Sequence, residues 1–175
     1  MIDVRPNCFD DLSAFAAHDL PVGTVVIPRW HDGFYDHLEG WSIRSVEEIL
    51  VMPEPQRGLF FRYGLDVDFG RIVGPSEAQF VTTFDNFINH SCEPNLLYDT
   101  TGNVVASRPI ATGEELFVDY GFFIVNFDED YDCRCGSPHC RGRLTRNDWK
   151  QLLATHGHRS PRFLHAHIFA NHQPQ

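Results

Sequence analysis

Apolar residues fall along the chain in short groups, each about the length of one strand or one or two helical turns. Leu12, Phe15 and Ala17 precede the turn-forming run Asp19-Leu20-Pro21-Val22-Gly23, and Thr24-Val25-Val26-Ile27 follows with strong β-propensity. Residues 8–28 are therefore expected as two short strands around a turn. Residues 28–40 mix Trp30, His31, Asp32, His37 and Glu39 with turn formers and predict a solvated loop. A metal site from those four polar residues is the poorer alternative, because nothing fixes their geometry. Ile43, Val46, Ile49 and Leu50 recur at helical spacing, which predicts a helix over residues 42–52. Ser42 or Ser45 caps it, Glu47 and Glu48 sit early, and Pro53 ends it.

The second half alternates in the same way. Residues 59–63 and 65–69 predict strands broken by Gly64 and ended by Gly70. Phe80, Val81, Phe84, Phe87 and Ile88 form a short amphipathic helical run. Residues 96–98 and 103–107 predict a hairpin across Thr101-Gly102. Thr145-Arg146-Asn147-Asp148 resembles a capping box, opening a helix that carries Trp149, Leu152 and Leu153 and closes at Gly157. A last short helix over residues 162–170 packs Phe163, Leu164, Ile168 and Phe169. The tail histidines His156, His158, His165, His167 and His172 are given no metal role.

Composition narrows the class. The 13 Gly and 11 Pro in 175 residues favour turns and short strands over a helical bundle, and 42% hydrophobic residues suffice for one core. No apolar run approaches the ~20 residues of a membrane-spanning helix. Residues 1–6 lack a basic-then-apolar leader, so a cytoplasmic protein without membrane attachment is expected. A formal charge of −10 disfavours general nucleic-acid binding and suits a basic partner. Five cysteines leave an odd one after any pairing, which favours a metal site over a disulfide framework in a reducing compartment.

Three segments concentrate chemistry: Asn89-His90-Ser91-Cys92-Glu93-Pro94-Asn95, Gly113-Glu114-Glu115-Leu116-Phe117-Val118-Asp119-Tyr120-Gly121, and Cys133-Arg134-Cys135-Gly136-Ser137-Pro138-His139-Cys140-Arg141-Gly142. In this order they resemble a SET-domain protein-lysine methyltransferase followed by its post-SET zinc segment. The resemblance is strong over residues 87–144 and weaker before residue 80. It implies a mostly β fold of small curved sheets around a knot-like threaded segment, with short helices and a zinc-stapled tail. The implied division is a SET domain over 8–125 (variable insert about 28–80), a post-SET segment over 126–145, and a helical tail over 146–175.

The resemblance also implies roles. Cys92, Cys133, Cys135 and Cys140 become ligands of one structural zinc ion. Phe15, Ala16, Asn89, His90, Tyr120 and Leu144 become contacts of S-adenosylmethionine, and Tyr120 the catalytic residue. Without the family frame, Asn89 and His90 read equally well as a satisfied buried polar pair, and Tyr120 as a core tyrosine. Tyr63, Phe122, Phe123 and Phe127 are candidate walls of a substrate channel. Three positions depart from the family pattern: Asp11-Leu12-Ser13 replaces a Gly-x-Gly turn, Asn86 replaces an Arg, and Val118 stands where Phe or Tyr is common. The implied acceptor is a lysine in a protein or peptide. A free amino acid or small amine, or a zinc-stabilised binding module without catalysis, are the alternatives.

Overall fold

The computed structural model describes residues 2–9, 11–127 and 131–168. Among them the chain forms small, mostly antiparallel sheets with a few short helices. β1 (Ile2–Pro6) pairs antiparallel with β2 (Leu12–Ala16), from Ile2 opposite Ala16 to Pro6 opposite Leu12. Asn7 closes the turn between them, its Oδ1 accepting from the amides of Phe9 and Asp11. β3 (Val25–Ile27) does not pair with β2, contrary to the two-strand unit expected over residues 8–28. Polar-apolar alternation marks a strand but carries no information about its partner.

The middle of the chain departs most from expectation. Residues 41–45 are a strand, β4 (Trp41–Ser45), and only α1 (Val46–Leu50) is helical. Ser45 is its N-cap, accepting from the Glu48 amide at 3.2 Å while the Glu48 carboxylate accepts from the Ser45 amide at 2.7 Å. That is a complete capping box, worth roughly 1 kcal/mol. Residues 59–63 are helical rather than extended: they belong to α2 (Gln56–Tyr63). Glu54 starts this helix, accepting from the Gly58 amide and from the Arg57 side chain. Phe60 then inserts between Ile49 and Ile72, so burial overrides the β-propensity of the aromatic run.

β5 (Leu65–Asp68) and β6 (Arg71–Pro75) complete a three-stranded sheet in the order β4-β6-β5. Gly74 of β6 lies under the Phe60 ring, where an added Cβ would stand 2.5 Å from it. Residues 78–80 and 84–87 form two separate 3₁₀ turns in place of one amphipathic run.

Residues 28–40 are not a solvated loop. Trp30, His31 and Tyr35 are buried. The Tyr98 hydroxyl donates to His31 Nε2 at 2.5 Å, and His31 Nδ1 donates to the Asp66 carbonyl at 2.9 Å. Burial holds the imidazole pKa at about 3, with the Asp66 bond opposing. A group depressed from 6.5 binds fewer protons folded than unfolded, so its stabilising effect is lost as pH falls through that window. Wild-type stability is expected to drop by about 2 kcal/mol from this residue between pH 7 and pH 5. Denaturant unfolding of His31→Gln at both pH values should show that increment missing; an unchanged pH dependence would contradict it.

β7 (Asn89–His90), β8 (Leu96–Tyr98) and β9 (Val104–Ala106) follow, with β8 and β9 forming the expected hairpin and β3 joining as β3-β9-β8. β10 (Phe117–Val118) pairs in parallel with β7. β11 (Tyr131–Asp132) and β12 (Arg143–Leu144) form a small antiparallel ribbon. α3 (Asp148–His156) ends at Gly157, as expected, but its N-cap is Asn147 without a side-chain bond; Thr145 instead donates to the Asp148 carboxylate. Residues 162–167 form a 3₁₀ helix that buries Leu164, while Phe169 and Ala170 of the expected last helix lie outside the described residues. The core runs from Ala14 and Leu20 through Tyr98, Ile110, Leu116 and Phe122 to Leu152 and Leu164.

Candidate active site and metal centre

Two motifs distant in sequence meet on one pair of strands. Asn89 lies opposite Phe117 and His90 opposite Val118, and the Ser91 amide donates to the Val118 carbonyl at 3.0 Å. Asn95 is buried at the crossing, where its amide donates to the Glu115 carbonyl and its Oδ1 accepts from the Phe117 amide, both at 2.8 Å. The strand then enters a 3₁₀ turn, Tyr120–Phe122, capped by the Asp119 carboxylate on the Gly121 amide. Gly121 lets α3 approach: an added Cβ would stand 2.9 Å from both the Asp148 Cβ and a Leu152 methyl.

Tyr120 is held from two sides. Its hydroxyl donates to the Ile88 carbonyl at 2.9 Å, and its amide donates to His90 Nδ1 at 3.1 Å. Burial, the largest influence, pulls the His90 imidazole below its ordinary pKa; Asp119 opposes this and Arg141 assists it. With Nδ1 accepting, the neutral ring carries its proton on Nε2, which faces Cys92 Sγ at 3.4 Å. Tyr120 and Ile88 line a cavity of about 110 Å³, together with Trp30, Tyr63, Phe123 and Phe127. Phe122 does not line it. That ring is buried in the core, edge-on to Tyr98.

The sulfurs of Cys92, Cys133, Cys135 and Cys140 all lie within 4.8 Å of one another, and these four residues could hold a metal ion. Backbone amides surround them: Arg141 N–H donates to Cys92 Sγ and Gly142 N–H to Cys140 Sγ, both at 3.4 Å, and Cys92 N–H to Cys135 Sγ at 3.5 Å. Burial pushes the Cys92 and Cys133 thiols up. Burial also opposes ionisation of Cys135, but amides of Cys92 and Ser137 and the neighbouring thiols outweigh it and bring that thiol to about 6. Four thiolates this close repel one another unless a cation sits among them. An all-sulfur set with amide donors suits a soft, tetrahedral ion. Cys8 is exposed and apart.

Past the last cysteine, Arg141 reaches back to the strand that carries Tyr120. Its guanidinium forms a fork on Asp119, at 2.7 and 2.5 Å, and its Nε meets Asp148 at 2.9 Å. The Asp119 side chain is 1% exposed. Leu144 is buried three residues further on, packed with Ile124, Cys133 and Tyr120.

A family model for the SET domain matches residues 12–121. The chain belongs to the SET-domain family. It is 38% identical over 46% of its length to the Drosophila melanogaster protein named histone-lysine N-methyltransferase ash1. It is 35% identical over 53% to Arabidopsis thaliana histone-lysine N-methyltransferase ASHR3, and 31% over 74% to Drosophila histone-lysine N-methyltransferase trr. The chain covers 4%, 20% and 5% of the length of those three relatives.

Within this SET domain, the place of the Gly-x-Gly turn is partly strand: Leu12 and Ser13 belong to β2. Ser13 is fully buried, and its hydroxyl accepts from Asn7 at 2.9 Å and from Asn89 at 2.6 Å. The second Asn89 amide proton goes to Glu115 at 3.2 Å. Ser13 thus joins the first turn to the Asn-His strand, a role invisible in the sequence. Phe15 and Ala16, further along β2, are buried; Ala16 donates to the Glu114 carbonyl and accepts from the Gly113 amide, and Arg5 covers the Phe15 ring at 4.0 Å. The Asp119–Arg141 fork and the hydrogen bonds from Asn95 to Glu115 and Phe117 were also missed. Their partners lie 20 or 22 residues apart, and sequence gave no signal for which would meet. Among the described residues, His31, Asp32, His37 and Glu39 form no metal-holding cluster.

Proposed function

We propose that this chain transfers a methyl group from S-adenosylmethionine to the side-chain amine of a lysine in a protein or peptide, with a structural zinc ion bound by Cys92, Cys133, Cys135 and Cys140. The carrying observation is Tyr120, whose hydroxyl is locked onto the Ile88 carbonyl in the wall of a cavity lined by aromatic rings. S-adenosylmethionine supplies an activated methyl group on a sulfonium sulfur. The residues at hand fit it. With both Asn89 amide protons bound, its carbonyl oxygen is left to accept from an amino group, and Glu115 beside it adds a carboxylate. His90, Phe15, Ala16 and Leu144 complete the surround.

Tyr120 acts by alignment. Because its proton is committed to Ile88, its oxygen presents lone pairs, which attract polarised C–H groups by ~0.5–1 kcal/mol each. The aromatic walls exclude water and favour the neutral amine needed for attack. Zinc fixes the segment carrying Arg141 and Leu144 against Tyr120, so metal binding serves the site as well as the fold.

The Tyr120→Phe protein is expected to bind S-adenosylmethionine within a few-fold of wild type and to lose about 10²-fold in kcat. Calorimetry and steady-state kinetics on the zinc-loaded protein check this pair of values. Unchanged kcat would remove Tyr120 from the mechanism.

A further inference from the structure

We propose that Asp85 receives the nitrogen of the incoming amine in the Tyr120 cavity; this rests on the lysine reading above. Asp85 is 3% exposed and lines the cavity. One oxygen, Oδ2, accepts from the Trp30 indole at 3.2 Å and from the Tyr35 hydroxyl. The other, Oδ1, is buried without any hydrogen-bond partner. A buried carboxylate oxygen left unbonded costs several kcal/mol unless something fills the role.

Asp85 shares this cavity with Tyr120 and with Ile88, which holds the Tyr120 hydroxyl. Asp85 and Ile88 are linked by a 3₁₀ turn, with the Ile88 amide donating to the Asp85 carbonyl at 3.2 Å. Ile88 holds the Tyr120 hydroxyl on its carbonyl. Asp85, Ile88 and Tyr120 thus line one cavity.

The other charged groups at the cavity do not compete for the role. Asp66 has Oδ2 occupied by the amides of Val125 and Asn126, at 2.6 and 3.0 Å. Arg62 is exposed at the cavity's edge, 5.4 Å from the Tyr63 ring centre. Tyr35 stays a donor, because burial and then the Asp85 charge raise its pKa well above the ordinary value. Trp30 and Tyr35 thus pin the carboxylate and leave one oxygen for a guest that brings N–H donors and positive charge. An ammonium fits, and a low-dielectric wall strengthens the pairing, so Asp85 captures the amine in its protonated form, and the amine gives up one proton to solvent before it advances to attack as the neutral base. The site selects amines that retain an N–H bond.

The test uses n-butylammonium as a probe of the lysine side chain and 1-butanol as its neutral counterpart, titrated into the zinc-loaded protein. Wild type is expected to bind the cation at least tenfold more tightly than the alcohol, and Asp85→Asn to level the two. Asn keeps an acceptor for Trp30 and Tyr35, and thermal unfolding checks that the variant is folded. In wild type alone, the Trp30 indole N–H resonance should shift with n-butylammonium and stay put with 1-butanol. Equal binding of both probes by wild type, or a preference surviving in Asp85→Asn, overturns the proposal. So does methylation of a lysine peptide by Asp85→Asn at wild-type kcat/KM, which would leave the methyltransferase reading intact. Cation binding that depends on Asp85 supports the proposal even in a protein that transfers no methyl group.

Discussion

Cys135→Ser protein is expected to emerge without its metal and with the β11–β12 ribbon unprotected. The zinc content should fall from about one ion per chain to near zero, since three thiolates do not close a tetrahedral site. The ribbon has only two residues per strand and, among the described residues, pairs with no other sheet. Such a unit is not stable alone, and the proposed zinc would organise it, since the apparent binding energy of a structural zinc is ~10–16 kcal/mol in small peptides. Because Leu144 packs against Tyr120, loss of the ribbon should also weaken S-adenosylmethionine binding at least tenfold. Elemental analysis with hydrogen exchange on the amides of 131–144 reads both effects. A metal-free variant with full protection there would show that packing alone holds the segment.

Arg141→Ala should be the most destabilising single change among the charged side chains. It strips a bidentate partner from a carboxylate that is almost wholly buried, and breaking a buried pair from one side costs about 3–5 kcal/mol. An exposed pair such as Arg57–Glu54 is worth at most about 1 kcal/mol, so Arg57→Ala serves as the control. Arg141→Lys should recover only part of the loss, because an ammonium cannot fork onto both Asp119 oxygens. Replacing Asp119 together with Arg141 should cost less than Arg141→Ala alone, since the almost wholly buried Asp119 charge is gone and only the Asp148 carboxylate loses a partner. Urea unfolding of the four variants measures this. A loss below about 1 kcal/mol for Arg141→Ala would mean Asp119 is satisfied by Gly121 and the turn alone.

The parts of the site that could be read from sequence were those whose function sits in local order. The proposed site residues Asn89-His90, Cys92, the cysteine triplet and Tyr120 were singled out by the family motifs that contain them. The hairpin around Gly102 and the helix ending at Gly157 were legible because turn and cap residues act over a few positions. What failed was choice of partner. β1 was not anticipated, since Ile2–Pro6 is mostly exposed and alternates too weakly to mark a strand. Residues 59–63 read as strand until Phe60 found its place between Ile49 and Ile72. Trp30, His31 and Tyr35 looked like loop residues because their partners, Asp85, Asp66 and Tyr98, are 35 to 67 residues away. Asp85 itself carried no signal: an acid between Phe84 and Phe87 reads as the polar face of a helix, whereas the fold buries it in the cavity wall.

The proposed activity is methyl transfer to a lysine nitrogen. The most direct measurement is mass spectrometry of lysine-bearing peptides after incubation with the zinc-loaded protein and S-adenosylmethionine labelled in its methyl group. The expected result is a labelled methyl group on the lysine side chain, formed by wild type and nearly absent with Tyr120→Phe. Label found on no lysine, in the presence of saturating S-adenosylmethionine and an intact metal centre, would contradict it.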